Sequence, residues 1–226
     1  MIREGFKNSL AVSAGYLVVG IAFGLSAYEN QISWFWAVAM SVFVYAGSLQ
    51  FAGIGMISQG AGAAQVLLMS LAVNIRHIVY GVSFLREFAE KGFRRLYLIF
   101  GLTDETYGLL CQKKAENRTD AQLFFWISLF DQLWWILGTL LGSAAGLIVP
   151  ISTEGIDFAM TALFFVTCLD QLKSGCSVIP LLIGLVCSVV SLILFGSQGM
   201  IVPSLLMILV FLAAGRKKIM KEKVYE

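Results

Sequence analysis

Polar residues punctuate this chain at wide intervals, and long apolar runs lie between them. The runs cover about 10–27, 34–57, 63–85, 96–111, 122–149, 157–170, 177–195 and 200–215. Most approach the roughly 20 residues that a helix needs to cross the hydrocarbon core of a bilayer. They are continuous rather than alternating, so they predict helices and not the strands of a β-barrel. The predicted fold class is all-α, a polytopic helical membrane protein with seven or eight hydrophobic segments, some broken or re-entrant. One transmembrane domain is expected over 1–226, ending in a basic tail at 216–226. Two runs fit poorly: 96–111 is short and carries Asp104 and Glu105, and 157–170 is short and ends at Asp170. Trp34, Trp36 and Trp126 stand near the starts of runs, where an interfacial belt would put them. Arg3 and Lys7 ahead of the first run look like a signal peptide's basic start. The run from Leu10 to Ala27 is too long for that reading and no cleavage motif follows, so it is taken as the first span.

Composition sharpens this. The chain of 226 residues is 58% hydrophobic and 13% charged. Ordinary soluble domains carry about 25% charged residues, so a soluble enzyme is excluded. A net charge of +2 is too small for a nucleic-acid binder. The single His and the four cysteines (Cys111, Cys168, Cys176, Cys187) form no CxxC or HxxxH pair, so no metal, haem or disulfide framework is expected. No phosphate-loop motif occurs, so this chain is not expected to hydrolyse ATP itself, and no cofactor is called for.

Lys and Arg give orientation. Arg216, Lys217, Lys218, Lys221 and Lys223 predict a cytoplasmic C-terminus. Counting back, 196–199 falls outside, Lys173 inside, Glu154 and Asp157 outside, and Lys113, Lys114 and Arg118 inside. The next step conflicts. If 96–111 spans, the loop with Arg86, Lys91, Arg94 and Arg95 lies outside, against the rule. If 96–111 is re-entrant, Arg3 and Lys7 go outside instead. The conflict marks 96–111 as irregular.

A lipid-facing charge at a helix centre costs about 2.5–3.5 kcal/mol, so ionisable residues within spans are expected to face protein or a water-filled cavity. Three groups stand out. Val44-Tyr45-Ala46-Gly47-Ser48-Leu49-Gln50 is polar at Ser48 and Gln50, and its glycines invite close approach or a local break. Asn74-Ile75-Arg76-His77 puts Asn74 and His77 on one helix face and Arg76 on another, so either both faces meet protein or the helix unwinds. Thr103-Asp104-Glu105-Thr106 sets two adjacent carboxylates in a short segment bracketed by glycine. Each has a bland alternative: a packing face, a structural ion pair, an apolar loop. Asp131, Gln132, Asp170 and Gln171 are weaker candidates. Gly20 and Gly24, and Gly138, Gly142 and Gly146, recur every fourth residue and read as helix-packing seams.

These groups, in this order, resemble the large subunit of the AzlC-type branched-chain amino-acid permease family, also termed LIV-E. The matching stretches are Val44 to Phe51, Asn74 to His77, Leu102 to Glu105, and the opening Gly15 to Gly24. The resemblance implies a bacterial inner-membrane exporter of branched-chain amino acids that works with a small hydrophobic AzlD-type subunit. It implies no residue roles; those come from chemistry. A zwitterion needs a cation for its carboxylate and an anion or carbonyls for its ammonium. Arg76 suits the first and Asp104 or Glu105 the second, with Asn74, Gln50 and Ser48 as further substrate-binding candidates. His77, Asp104 and Glu105 are candidates for a coupling proton. A channel for another solute and a membrane-embedded enzyme are the rival readings, the latter disfavoured because the single His leaves a His-dependent site no second base of that type.

Overall fold

The computed structural model describes residues 1–88, 92–148, 165, 169 and 178–222. The run at 157–170 is, but for 165 and 169, outside these residues, as are Asp170, Gln171, Lys173, Glu154, Asp157, Cys168 and Cys176. Every described element is a helix. Two compact units are present, Met1–Met160 and Thr161–Glu226.

In the first unit, α1 (Ile2–Glu29), α4 (Ala63–Ser83) and α7 (Ala121–Ile148) are long and apolar enough to cross a membrane. Between them lie two pairs of short helices, α2 (Trp34–Phe43) with α3 (Gly47–Ser58), and α5 (Phe93–Phe100) with α6 (Asp104–Ala115). At about 1.5 Å per residue, helices of 8–12 residues reach only about half-way through a 30 Å core.

Both pairs are re-entrant hairpins. Ser58 at the end of α3 donates to Asn30 Oδ1 at 3.0 Å, so α2 and α3 begin and end at the far end of α1. Lys114 near the end of α6 meets Glu87, just before α5, at 2.6 Å, and donates to the Ser83 carbonyl at 3.1 Å. That contact holds the Glu87 carboxyl below the usual carboxylate range. Arg118 pairs with Glu4, bringing the start of α1 to the same face. So Arg3, Lys7, Arg86, Arg94, Arg95, Lys113, Lys114 and Arg118 share one face, while no Lys or Arg occurs from Asn30 to Gly62 on the other. The charge conflict in the sequence dissolves. It assumed that 34–57 spans, and this run turns back as 96–111 does. An impermeant thiol reagent is expected to reach cysteines placed at Gln31 and Gln59 from one side of the membrane and at Arg86 and Glu116 from the other. Labelling of Gln59→Cys together with Glu116→Cys would contradict the hairpin.

The frame is the α1–α7 pair, the most extensive helix contact in this unit. Its seam is the two glycine series. A Cβ on Gly20 would lie 2.9 Å from the Trp135 carbonyl oxygen, and one on Gly138 would lie 2.8 Å from that of Leu17. The backbones touch directly, which only missing side chains allow. A buried cluster of Phe84, Phe88, Leu98, Leu102, Leu110, Leu123 and Phe124 seats the second hairpin against α7.

In the second unit, α8 (Ile179–Gly199) starts with Pro180 in its first turn and packs on α9 (Ile201–Glu222). Ser191 Oγ donates to the Met200 carbonyl at 2.8 Å, and Gly196 at φ 69° interrupts α8 before its end. Through residue 196, α8 is a fourth helix of membrane-crossing length.

Candidate functional site

The functional geometry starts from the two interruptions. α2 ends after Phe43 because Tyr45 turns to φ 44°, a left-handed value that is costly without glycine. Its ring is buried and packs against Tyr16 and Phe100, which holds it there. The Val42 carbonyl accepts from Gln132 Nε2 at 3.0 Å, an α7 side chain standing in beside the broken turn. α5 ends at Gly101, and α6 restarts with Thr103 as its cap, accepting from the Thr106 amide at 3.4 Å. Thr106 Oγ1 donates in turn to Asp131 Oδ2 at 2.9 Å. Adjacent residues of α7 thus serve one break each.

The two hairpins enter from opposite faces, and their tips meet at Arg76. Its Nη2 lies 2.9 Å from Asp104 Oδ2, at the start of α6, and donates to Ser48 Oγ at 2.9 Å, at the start of α3. Tyr80, one helical turn beyond Arg76, donates to Asp104 Oδ1 at 2.7 Å and stacks on Tyr107 with ring centroids 4.2 Å apart. The Arg76 and Asp104 side chains keep 34% and 25% of their surface accessible. α4 itself is unbroken, so the alternative that it unwinds around Asn74 to Gly81 does not hold. The breaks lie in its neighbours, whose helix N-termini supply the polar backbone that α4 keeps satisfied internally.

The other predicted residues separate. Glu105 turns away from Arg76 and accepts from Tyr16 OH at 3.0 Å. Gln50 is fully buried and joins a second cluster: it donates to Ser41 Oγ at 3.0 Å and accepts from Trp135 Nε1 at 3.1 Å, and Ser41 bonds Thr139 at 2.8 Å. Those bonds tie the first hairpin to α7 and take up both ends of the Gln50 amide. The Asn74 Oδ1 is buried without a hydrogen-bond partner among the described residues. His77 lies edge-on to Tyr80 at 5.6 Å.

A model of the AzlC protein family matches residues 11–149. The chain is 35% identical over 98% of its length to the branched-chain amino acid transport protein AzlC of Bacillus subtilis, covering 88% of that protein. The chain belongs to the AzlC family. An uncharacterized membrane protein of Helicobacter pylori is 34% identical over 96% of both chains, and the inner membrane protein YgaZ of Escherichia coli is 30% identical over 80% of this chain and 78% of its own. No solved structure matches.

The AzlC match holds both hairpins, the glycines of the α1–α7 seam and every polar contact named in this site. Sequence reasoning missed Tyr16, Tyr80, Thr103 and Thr106 as members of this network. Two of them had a signal. Thr103 before two acids is an N-cap pattern, and Tyr80 lies four residues from Arg76 on one face of α4. Tyr16 had none, because its partner is 87 residues away.

Proposed function

We propose that this chain is the larger subunit of a secondary transporter for branched-chain, aliphatic amino acids, exporting them in exchange for protons. The observation that carries the reading is Arg76 bridging Ser48 and Asp104 at the meeting point of two hairpins that enter from opposite faces. A substrate carboxylate can take the guanidinium, helped by the N-termini of α3 and α6. Its ammonium can take Asp104 and the Asn74 carbonyl oxygen, and an aliphatic side chain needs only apolar walls. The hairpin tips divide the depth of the membrane, so movement of either tip would open the pair to one face. The name of the Bacillus subtilis relative speaks for branched-chain amino acids, and transport rather than catalysis. His77, beside Tyr80, stays a candidate for tuning the site with pH.

A small hydrophobic AzlD-type subunit is part of the proposal. Eight exposed large apolar residues of α4, from Val66 to Val82, could take lipid or such a helix. By the positive-inside rule, the face with Arg3, Arg86, Lys113 and Arg118 is cytoplasmic, and the basic residues after the last apolar run call for a cytoplasmic C-terminus. The proposed membrane is the bacterial inner membrane. Proteoliposome counterflow tests the function. Labelled valine, leucine and isoleucine should exchange when both subunits are present, and lysine and glutamate should not. No exchange of any aliphatic amino acid would sink the reading, and full exchange by this chain alone would remove the partner.

A further inference from the structure

Glu105 and Asp131 stand at the two ends of a row of hydroxyls that substrate binding at Arg76 does not use. From Glu105 Oε2 the contacts run to Tyr16 OH at 3.0 Å, on to Thr103 Oγ1, to Thr106 Oγ1 at 3.0 Å, and to Asp131 Oδ2 at 2.9 Å. Asp131 and Thr106 are fully buried, and Tyr16 and Thr103 nearly so. The row crosses from α1 through the α5–α6 break to α7.

Its hydrogens can be counted. The four oxygen–oxygen contacts each need one hydrogen between their partners. Tyr16, Thr103 and Thr106 bring one each. The bond from the Thr106 amide to Thr103 occupies a lone pair and adds none to the row. With both carboxylates ionised, one contact would therefore set lone pair against lone pair. One carboxyl proton fills the row, and a second has no place in it. Neither Glu105 nor Asp131 has an ion-pair partner among the described residues, because Arg76 pairs with Asp104. A shared proton leaves the region one buried charge instead of two.

We propose that Asp131 and Glu105 hold one proton between them, and that it passes from one to the other through Thr106, Thr103 and Tyr16 during the transport cycle. With the proton on Asp131, that acid donates to Thr106, Thr106 to Thr103, Thr103 to Tyr16 and Tyr16 to Glu105. In the transfer the Asp131 O–H bond breaks, each hydroxyl passes on its hydrogen and takes the one behind it, and an O–H bond forms on Glu105. One proton moves and no hydroxyl changes its protonation state. The fields of Tyr16, Tyr45, Tyr97 and Glu105 reach Asp131, and those of Tyr16, Asp104 and Arg76 reach Glu105. The Glu105 end therefore feels the Arg76–Asp104 pair, and a substrate that parts this pair changes the field there. The shared proton follows from the geometry alone; its use in coupling rests on the transport reading.

Infrared spectra of the purified protein in lipid test the first part. Wild type should show a protonated carboxyl band at neutral pH, and Asp131→Asn should lose it, because the amide supplies the missing hydrogen and leaves Glu105 ionised. Proteoliposomes holding both subunits test the second. Thr106→Val, which keeps the shape without the hydroxyl, should lower valine transport driven by a pH gradient at least about tenfold, leave valine counterflow within about twofold, and be rescued by Thr106→Ser. The absence of the wild-type band, its survival in Asp131→Asn, or unchanged proton-driven transport in Thr106→Val would each overturn the proposal. Absence of counterflow in wild type would instead overturn the transport reading, and the infrared result would still decide the shared proton.

Discussion

Replacing both Arg76 and Asp104 by alanine is expected to give a folded protein that does not transport. Each single replacement should do worse for folding. Among the described residues, Arg76→Ala leaves the Asp104 carboxylate with the Tyr80 hydroxyl, and Asp104→Ala takes the carboxylate partner from the guanidinium. Breaking a buried pair from one side costs about 3–5 kcal/mol. The accessible surface of 34% and 25% on these side chains puts the expected loss near the lower end of that range. The double replacement removes both charges together, so expression and thermal stability should recover most of the loss. Counterflow should not recover, because the carboxylate and ammonium of the substrate have lost their partners. Fluorescence-detected size exclusion and counterflow on the same preparations separate the two effects. A double mutant that folds and exchanges valine normally would show that the pair is structural and would take Arg76 and Asp104 out of the site.

The second large effect is expected at a residue without a side chain. A methyl group on Gly142 would fall on the Ile21 backbone, its carbonyl carbon and oxygen and its Cα, and none of these can move without shifting α1. Gly142→Ala should therefore separate the α1–α7 seam and cost about 1–3 kcal/mol or more, as overpacking does. Gly15 on α1 makes the control, since a Cβ there meets nothing within 4 Å. Alanine is the better helix former by about 0.8–1.0 kcal/mol, so Gly15→Ala should be neutral or slightly stabilising. Opposite signs for the same chemical change would establish that close approach, and not helix propensity, fixes these glycines. Melting temperatures of the two variants in one detergent check this, and equal shifts would refute it.

Much of the architecture was legible in the sequence because the bilayer imposes simple rules. Run length and low charge determine a polytopic helical membrane protein, and spacing by four marks Gly20, Gly24, Gly138 and Gly142 as a packing seam. The cost of charge in hydrocarbon singles out Arg76, Asp104 and Glu105. The stretches Val44 to Phe51, Asn74 to His77 and Leu102 to Glu105 carry the resemblance to the family without any fold. What hydropathy could not separate was a span from a hairpin. The run 34–57 is apolar throughout, and its reversal depends on a left-handed Tyr45 held by aromatic rings from α1 and α5, and on Gln132 reaching from α7 to the Val42 carbonyl. Those contacts join residues far apart in the chain, so no local pattern carries them. The same holds within the site. Two adjacent carboxylates look equivalent in sequence, yet the helix start at Asp104 points one at Arg76 and the other at Tyr16. Ser48 and Gln50, both polar candidates in the sequence, bond Arg76 of α4 and Trp135 of α7 respectively, because nearby positions on α3 meet different helices. Composition and period determine which residues are buried in the membrane; only the tertiary packing decides which of them meet, since that depends on where each helix is forced to stop.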